Sequence, residues 1–217
     1  MISGRPERPF LAAATVVMAL WIMGAAVAGD VEDLLRTLVR PAPDEIPFVE
    51  VRFSPLLDTP VVASGRLEYL APGRLARHVV DPYREDTSID GEQVVLSREG
   101  EKARQFSLRR APELRGLLSS FSAILSGDAA ALDETFEMSL SREVPAGRWT
   151  LRLAPRDASL RKRLGDIEVH GGEGTVSCIV MGPQPDSASF TVLGRLPGEL
   201  PGRPTFPALQ EFCTRTP

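Results

Sequence analysis

Cysteine and histidine are scarce, with two of each in 217 residues. Cys178, Cys213, His78 and His170 lie far apart and match no metal-ligand spacing, so neither a metal nor another cofactor is expected. A basic field is also lacking. The formal charge is -4, and -5 once Arg5, Glu7 and Arg8 at the N-terminus are set aside, which leaves nothing to attract nucleic acid or anionic headgroups by overall charge. The chain has no phosphate loop, no dinucleotide fingerprint, no H-E-x-x-H and no G-x-S-x-G elbow. The glycines of His170-Gly171-Gly172-Glu173-Gly174 have the look of an esterase oxyanion loop, but a tight turn between two strands accounts for them with less, and no catalytic residue is expected. Internal repeats and low-complexity tracts are absent as well.

What is there begins with a secretory signal over residues 1–28. Arg5 and Arg8 make a positive start, Phe10 to Val27 is uninterrupted apolar or small sequence, and Ala26-Val27-Ala28 places small residues before a cut. The alternative is an uncleaved anchor, because the apolar run lies near the lower limit for a spanning helix. No cysteine stands near the cut, so lipid attachment is not expected there. Residues 29–217 have the size of one domain, with an irregular, proline-rich tail from about residue 196. In an exported chain the pair Cys178 and Cys213 favours a disulfide over two unpaired thiols.

Periodicity then separates strands from helices. Residues 30–39 read as a short amphipathic helix, with Val31, Leu34, Leu35 and Leu38 on one face and Pro41 as its stop. Phe48 to Ser54 reads as a strand with Val49, Val51 and Phe53 on one side and Glu50 and Arg52 on the other. From Ser64 to Leu96 short strands are broken by turn chemistry at Ala71-Pro72-Gly73, Asp81-Pro82 and Asp90-Gly91. Leu67, Tyr69, Leu75 and Val79 fall on one parity, while Arg66, Glu68, Arg74 and His78 fall on the other. That describes an antiparallel meander with a single apolar face, continued by a hairpin around Glu99-Gly100. Between Ala111 and Ser126 the period becomes helical. Leu114, Leu117, Leu118, Phe121, Ile124 and Leu125 share a face, Pro112 suits the first turn and Gly127 the stop. A short helix is predicted over 129–135. Strands follow at 136–142, 148–154, 166–169, 175–181 and 187–193, with Trp149, Leu151 and Leu153 on one parity. Residues 156–164 read as a basic turn or a helical turn, whose charges Arg156, Arg161, Lys162 and Arg163 are either a docking patch or, more commonly for such runs, a solvated face.

The order of Ser64-Gly65, an apolar strand, Pro72, a strand, Pro82 and Asp90-Gly91 opening another strand resembles the LolA family of periplasmic outer-membrane lipoprotein carriers. The resemblance implies an α+β fold: an unclosed antiparallel half-barrel with an N-terminal helix and a helical lid over its concave apolar face. It places Val49, Val51, Phe53, Leu67, Tyr69, Leu75, Val79, Trp149 and Leu151 in a hydrophobic cavity, and Leu114, Leu117, Leu118, Phe121 and Leu125 on the lid. Periodicity alone leaves open a second reading, in which the same helix fills the concave face permanently. The family's arginine latch, which stands before the proline ending the second strand, is Ala71 here; Arg66 and Arg77 are the nearest replacements.

The implied function is that of a binding protein rather than an enzyme: a monomeric periplasmic carrier. It would hide the acyl chains of lipoproteins or related lipids, taking them from an inner-membrane exporter and passing them to an outer-membrane receptor. An acyl chain in water costs about 0.8 kcal/mol per methylene, so an unescorted chain stays in its membrane. The alternatives are a lipid-sensing regulatory module of the same fold, which usually carries a further domain, and a hydrolase, which needs a convergent acid, base or nucleophile in the cavity.

Overall fold

The computed structural model describes residues 30–110, 112–143, 146–182 and 184–215. The expected signal segment, 1–28, lies outside the described residues, as do the side chains of 112–114, 116, 117, 119 and 120.

Helix α1 (30–38) precedes six strands: β1 (Asp44–Arg52), β2 (Val61–Ala71), β3 (Arg74–Asp81), β4 (Glu85–Asp90), β5 (Gln93–Arg98) and β6 (Arg104–Ser107). Two helices follow, α2 (Pro112–Ser126) and α3 (Ala129–Thr135). The chain then returns through β7 (Phe136–Glu143), β8 (Arg148–Pro155), α4 (Ala158–Leu164), β9 (Ile167–Gly172), β10 (Thr175–Met181) and β11 (Ser189–Leu193) to a terminal helix, α5 (Phe206–Arg215). The strands form one sheet of 11, in the order β6-β5-β4-β3-β2-β1-β11-β10-β9-β8-β7. Every neighbour is antiparallel. The fold is thus two meanders joined where the last strand pairs with the first, and β6 and β7 are left as edges of an unclosed half-barrel.

Turn chemistry sets the hairpins. Gly91, at φ 56°, lets β4 and β5 pair tightly, so that Ile89 faces Val94 across the turn. Glu173 and Gly174 both have positive φ, 49° and 73°, which is the conformation a two-residue hairpin between β9 and β10 requires. The glycine-rich segment from His170 is therefore a turn.

Residues 158–164 take the helical alternative, as a short helix capped by the Asp157 carboxylate, which accepts from the Leu160 N–H at 2.8 Å. One element differs from the reading of the sequence. The tail is not irregular to its end, since α5 occupies 206–215. Its signal was legible: Thr205 accepts hydrogen bonds at the helix start, Pro207 suits the first turn, and Phe206, Leu209, Phe212 and Cys213 recur at helical spacing. The prolines before it, at 197, 201 and 204, together with Pro207 in its first turn, masked the period.

The two larger parts of the core lie on opposite faces of the sheet. On the concave face of β7 to β10, Leu34, Leu35 and Leu38 of α1, Ile124 of α2 and Leu132 of α3 are buried with Phe136, Trp149, Leu151, Leu153, Ile167 and Val169. On the opposite face, Leu209 and Cys213 of α5 are buried with Val51, Phe190 and Val192. Cys213 is joined to Cys178 by a disulfide, with a Cα–Cα distance of 5.5 Å.

Candidate binding cavity

The concave face of β1 to β6 is less completely filled, with Phe48, Ala63 and Val79 buried together. With Val169, Val176, Ile179 and Met181 of β9 and β10 and Leu193 of β11 it walls a cavity of about 670 Å³, within the range of small-molecule sites. Packing leaves few voids larger than a water molecule between core side chains. The cavity is open to solvent on one side.

Strand alternation and register build the wall. Leu67 pairs with Ile46 and with Arg77, Tyr69 with Leu75, Leu75 with Ile89, Ile89 with Val94, and Val94 with Phe106. Each of these lines the cavity, so an apolar stripe crosses the strands from Tyr69 to Phe106, with Arg77 as the one charged residue beside it. The roof is α2, whose Leu118, Phe121, Ile124 and Leu125 also line it. The roof is tied at three points. Ser122 Oγ accepts from the Gly73 N–H in the β2–β3 turn at 3.1 Å. The Leu125 carbonyl accepts from the Arg40 N–H at 3.2 Å. Arg115 lies 3.5 Å from Glu92 in the β4–β5 turn. Ile124 also belongs to the filled core next door, so α2 is core at its C-terminal end and roof along its length.

The placement of the expected cavity residues is mixed. Leu67, Tyr69, Leu75 and Phe53 line it. Val49 and Val51 do not: they are fully buried on the other face, Val51 among the residues under α5. The physical reason is that α5 gives β1 a second apolar partner, so its alternation is resolved with the valines outward and Ile46, Phe48, Glu50 and Arg52 inward. Trp149 and Leu151 are on the concave face but in the filled half, under α1 and α3. Val79 has the inward parity but is buried with Phe48 and Ala63 and does not line the cavity. Of the lid residues, Leu118, Phe121 and Leu125 border the cavity, whereas the side chains of Leu114 and Leu117 lie outside the described residues. Arg66 is on the outer face, 3.4 Å from Glu45 and 3.5 Å from Glu68, and does not latch the roof. Arg77 lines the cavity but is committed to Glu50 rather than to α2.

The unexpected element is charge inside. Glu50 is 9% exposed and accepts from Arg52, from Arg77 and from Ser189 Oγ at 3.1 Å. Arg77 stacks over the Phe48 ring at 4.9 Å and lies 3.6 Å from Glu85, which Arg98 holds from behind through Nε at 3.1 Å. Burial acts to raise the Glu50 pKa, but the Arg52 and Arg77 guanidiniums and the bonds from Arg52 and Ser189 outweigh it, and the carboxyl is held below the usual glutamate range. The pairing of buried charge with charge explains how Glu50 and Arg77 are tolerated on an otherwise apolar wall. Among the described residues, no cluster of three or more His, Cys, Asp or Glu is arranged to hold a metal, and no helix is long and apolar enough to cross a membrane.

An unclosed antiparallel half-barrel, half filled by its own helices and half left as a helix-roofed apolar cavity, defines a class of lipid-binding fold. The family model for "Outer membrane lipoprotein carrier protein LolA-like" matches residues 23–215, and the chain belongs to that family. Its members are binding or carrier proteins, typically periplasmic or extracellular. Among solved structures, the LolA superfamily protein NE2245 from Nitrosomonas europaea is similar at 11% identity and a TM-score of 0.43, covering 80% of this chain and 96% of that one. LprF from Mycobacterium bovis is similar at 10% identity and a TM-score of 0.34, covering 82% and 97%. No curated protein matches the chain.

Proposed function

We propose that this protein is a monomeric carrier, exported to the periplasm by the signal at residues 1–28, that shelters the acyl chains of lipoproteins or related lipids in the cavity. It takes its cargo from an inner-membrane exporter and delivers it to an outer-membrane receptor. One observation carries the reading: an apolar cavity of about 670 Å³, roofed by a helix that turns Leu118, Phe121 and Leu125 towards it. A bound chain exchanges contact with water for contact with Leu67, Leu75, Ile89 and Phe121, at about 0.8 kcal/mol per methylene. The roof's own apolar face competes for the same wall, which keeps binding reversible.

Titration of the exported protein with an environment-sensitive fluorescent acyl probe tests this. Saturable binding that is weakened by Phe121→Asp, in a variant that still melts cooperatively, is the expected result. A wild type that binds no acyl probe, together with a variant that simply unfolds, removes the carrier reading.

A further inference from the structure

A second cavity, of about 310 Å³, adjoins the first and has nearly half its volume. Leu75, Ile89 and Leu118 line both. Leu75 and Ile89 are register partners on β3 and β4. Two residues away in one direction, Arg77 and Thr87 line only the first cavity; two residues away in the other, Gly73 and Gly91, in the turns, line only the second. Residues of one face recur at every second position along a strand, so the two cavities lie end to end along β3 and β4. The roof divides in the same way. On α2, Phe121 and Leu125 line the first cavity, and Arg115, Ser122 and Ser126 the second. At spacings of three and four, these make two adjacent stripes that meet at Leu118.

We propose that the second cavity receives the far end of a single long hydrocarbon chain whose nearer part lies in the first, so that the pair of cavities selects cargo by chain length. The inference rests on the carrier reading of the first cavity and adds a specificity to it. A polar ligand is poorly matched to the second cavity, because every polar side chain among its described lining residues already has a partner. Ser122 Oγ accepts from the Gly73 N–H, Ser126 Oγ donates to the Ala123 carbonyl, the Asp128 carboxylate accepts from the Ala131 N–H, and Arg115 pairs with Glu92. A polar ligand has to displace one of these contacts, whereas a hydrocarbon displaces none. Each methylene that passes Leu118 leaves water for contact with Leu75, Ile89 and the buried Leu108. Room for it is present at the turns, where a Cβ added to Gly73 or Gly91 would meet nothing within 4 Å. Because the two spaces are in line, one chain spans both. A second chain from the same head would have to lie beside the first before it reached Leu118.

The test measures displacement of the fluorescent acyl probe from the exported protein by saturated fatty acids of increasing length. Affinity is expected to rise by up to about fourfold per methylene until both cavities are filled, and then to level off. Ala131→Leu and Ser126→Leu each place bulk in the second cavity, from α3 and α2 respectively, and leave the first unaltered. Each is expected to bring the levelling-off to a shorter chain, lowering affinity for the longest acids by at least about tenfold with the shortest acids unaffected. Melting curves identify a variant that fails to fold, and the two positions are on separate helices, so one folded variant suffices. Levelling-off at the same length in wild type and folded variant overturns the proposal and leaves the carrier reading intact. A wild type that binds no fatty acid of any length overturns the carrier reading itself. A phospholipid whose two chains are no longer than the shortest acids serves as the control. If it loses as much affinity in the variants as the longest acid does, the second cavity holds a chain of its own and the single-chain proposal falls.

Discussion

The concave face of the sheet is used in two ways. Over β7 to β10 it is covered by α1, α3 and the end of α2, and Leu35, Leu132 and Leu151 are completely buried. Over β1 to β6 the same kind of alternating strands wall a cavity, and Leu67, Leu75 and Ile89 keep a free side. The strands are chemically alike. The difference lies in the helices, which gather on one half. Stability is therefore concentrated where the sheet is covered, and binding capacity where it is not.

The comparison is broken most directly by truncating one leucine from each half. Leu151→Ala is expected to cost about 4 kcal/mol, since it removes a fully enclosed side chain and leaves a void, whereas Leu75→Ala on the cavity wall should cost under about 1 kcal/mol. Denaturant melts measure both, and acyl-probe titration should show the reverse ranking, with Leu75→Ala the more damaging. Equal losses of stability would mean that the cavity half is also a permanent core.

A third surface, the outer face, should behave like the filled half. Replacing Cys178 and Cys213 by serine opens a closure spanning 35 residues and is expected to cost about 3.5 kcal/mol. Probe affinity at temperatures below the melt should be unchanged, because α5 and the bridge lie across the sheet from the cavity. A loss of binding in a folded variant would couple the two faces.

Glu50 is the exception within the cavity half, a buried charge held by two arginines. Glu50→Gln is expected to lose about 2 kcal/mol at pH 7, since it removes the carboxylate shared by Arg52 and Arg77 and leaves Arg77 only Glu85, at 3.6 Å. The pH dependence has a definite sign. The carboxyl's folded pKa is lowered from 4.5, so its contribution is present above that value and disappears as pH falls below it. Wild type and variant melts should differ most at neutral pH and converge in acid, and a constant gap would assign the loss to shape rather than charge.

The smallest expected effect concerns the roof. Ser122→Ala removes the acceptor of the Gly73 N–H and should cost about 1 kcal/mol or less. Its sharper readout is kinetic: dissociation of a bound acyl probe, followed by stopped-flow competition, should be faster. An unchanged rate would mean that the tie between α2 and the β2–β3 turn does not govern release. This contact sits at the turn that follows Ala71, so a backbone-to-hydroxyl bond occupies the place where the family's latch arginine is missing.

Much of this fold was legible along the chain. Period-two runs between Gly and Pro turns marked the strands, and the change of period at Ala111 marked α2, because local backbone geometry dictates both patterns. Leu67, Tyr69 and Leu75 could be placed on the cavity wall for the same reason. The helix α5 was readable in principle from Phe206, Leu209 and Cys213 but was hidden by neighbouring prolines.

Which face an apolar side chain serves was a different matter. On β1 the sequence offers Val49 and Val51 against Glu50 and Arg52, and alternation alone sends the valines to the binding face. The sequence by itself determined that these four residues alternate, that the strands are antiparallel neighbours of their hairpin partners, and that α2 has one apolar stripe. Only the tertiary structure decided that α5 claims Val51 from behind, that Trp149 and Leu151 lie under α1, and that Arg52 and Arg77 meet at Glu50. Alternation is a property of a single strand, set by its own dihedral angles. What covers each face depends on elements distant in sequence, as does the meeting of charges from β1 and β3, and no local pattern encodes either.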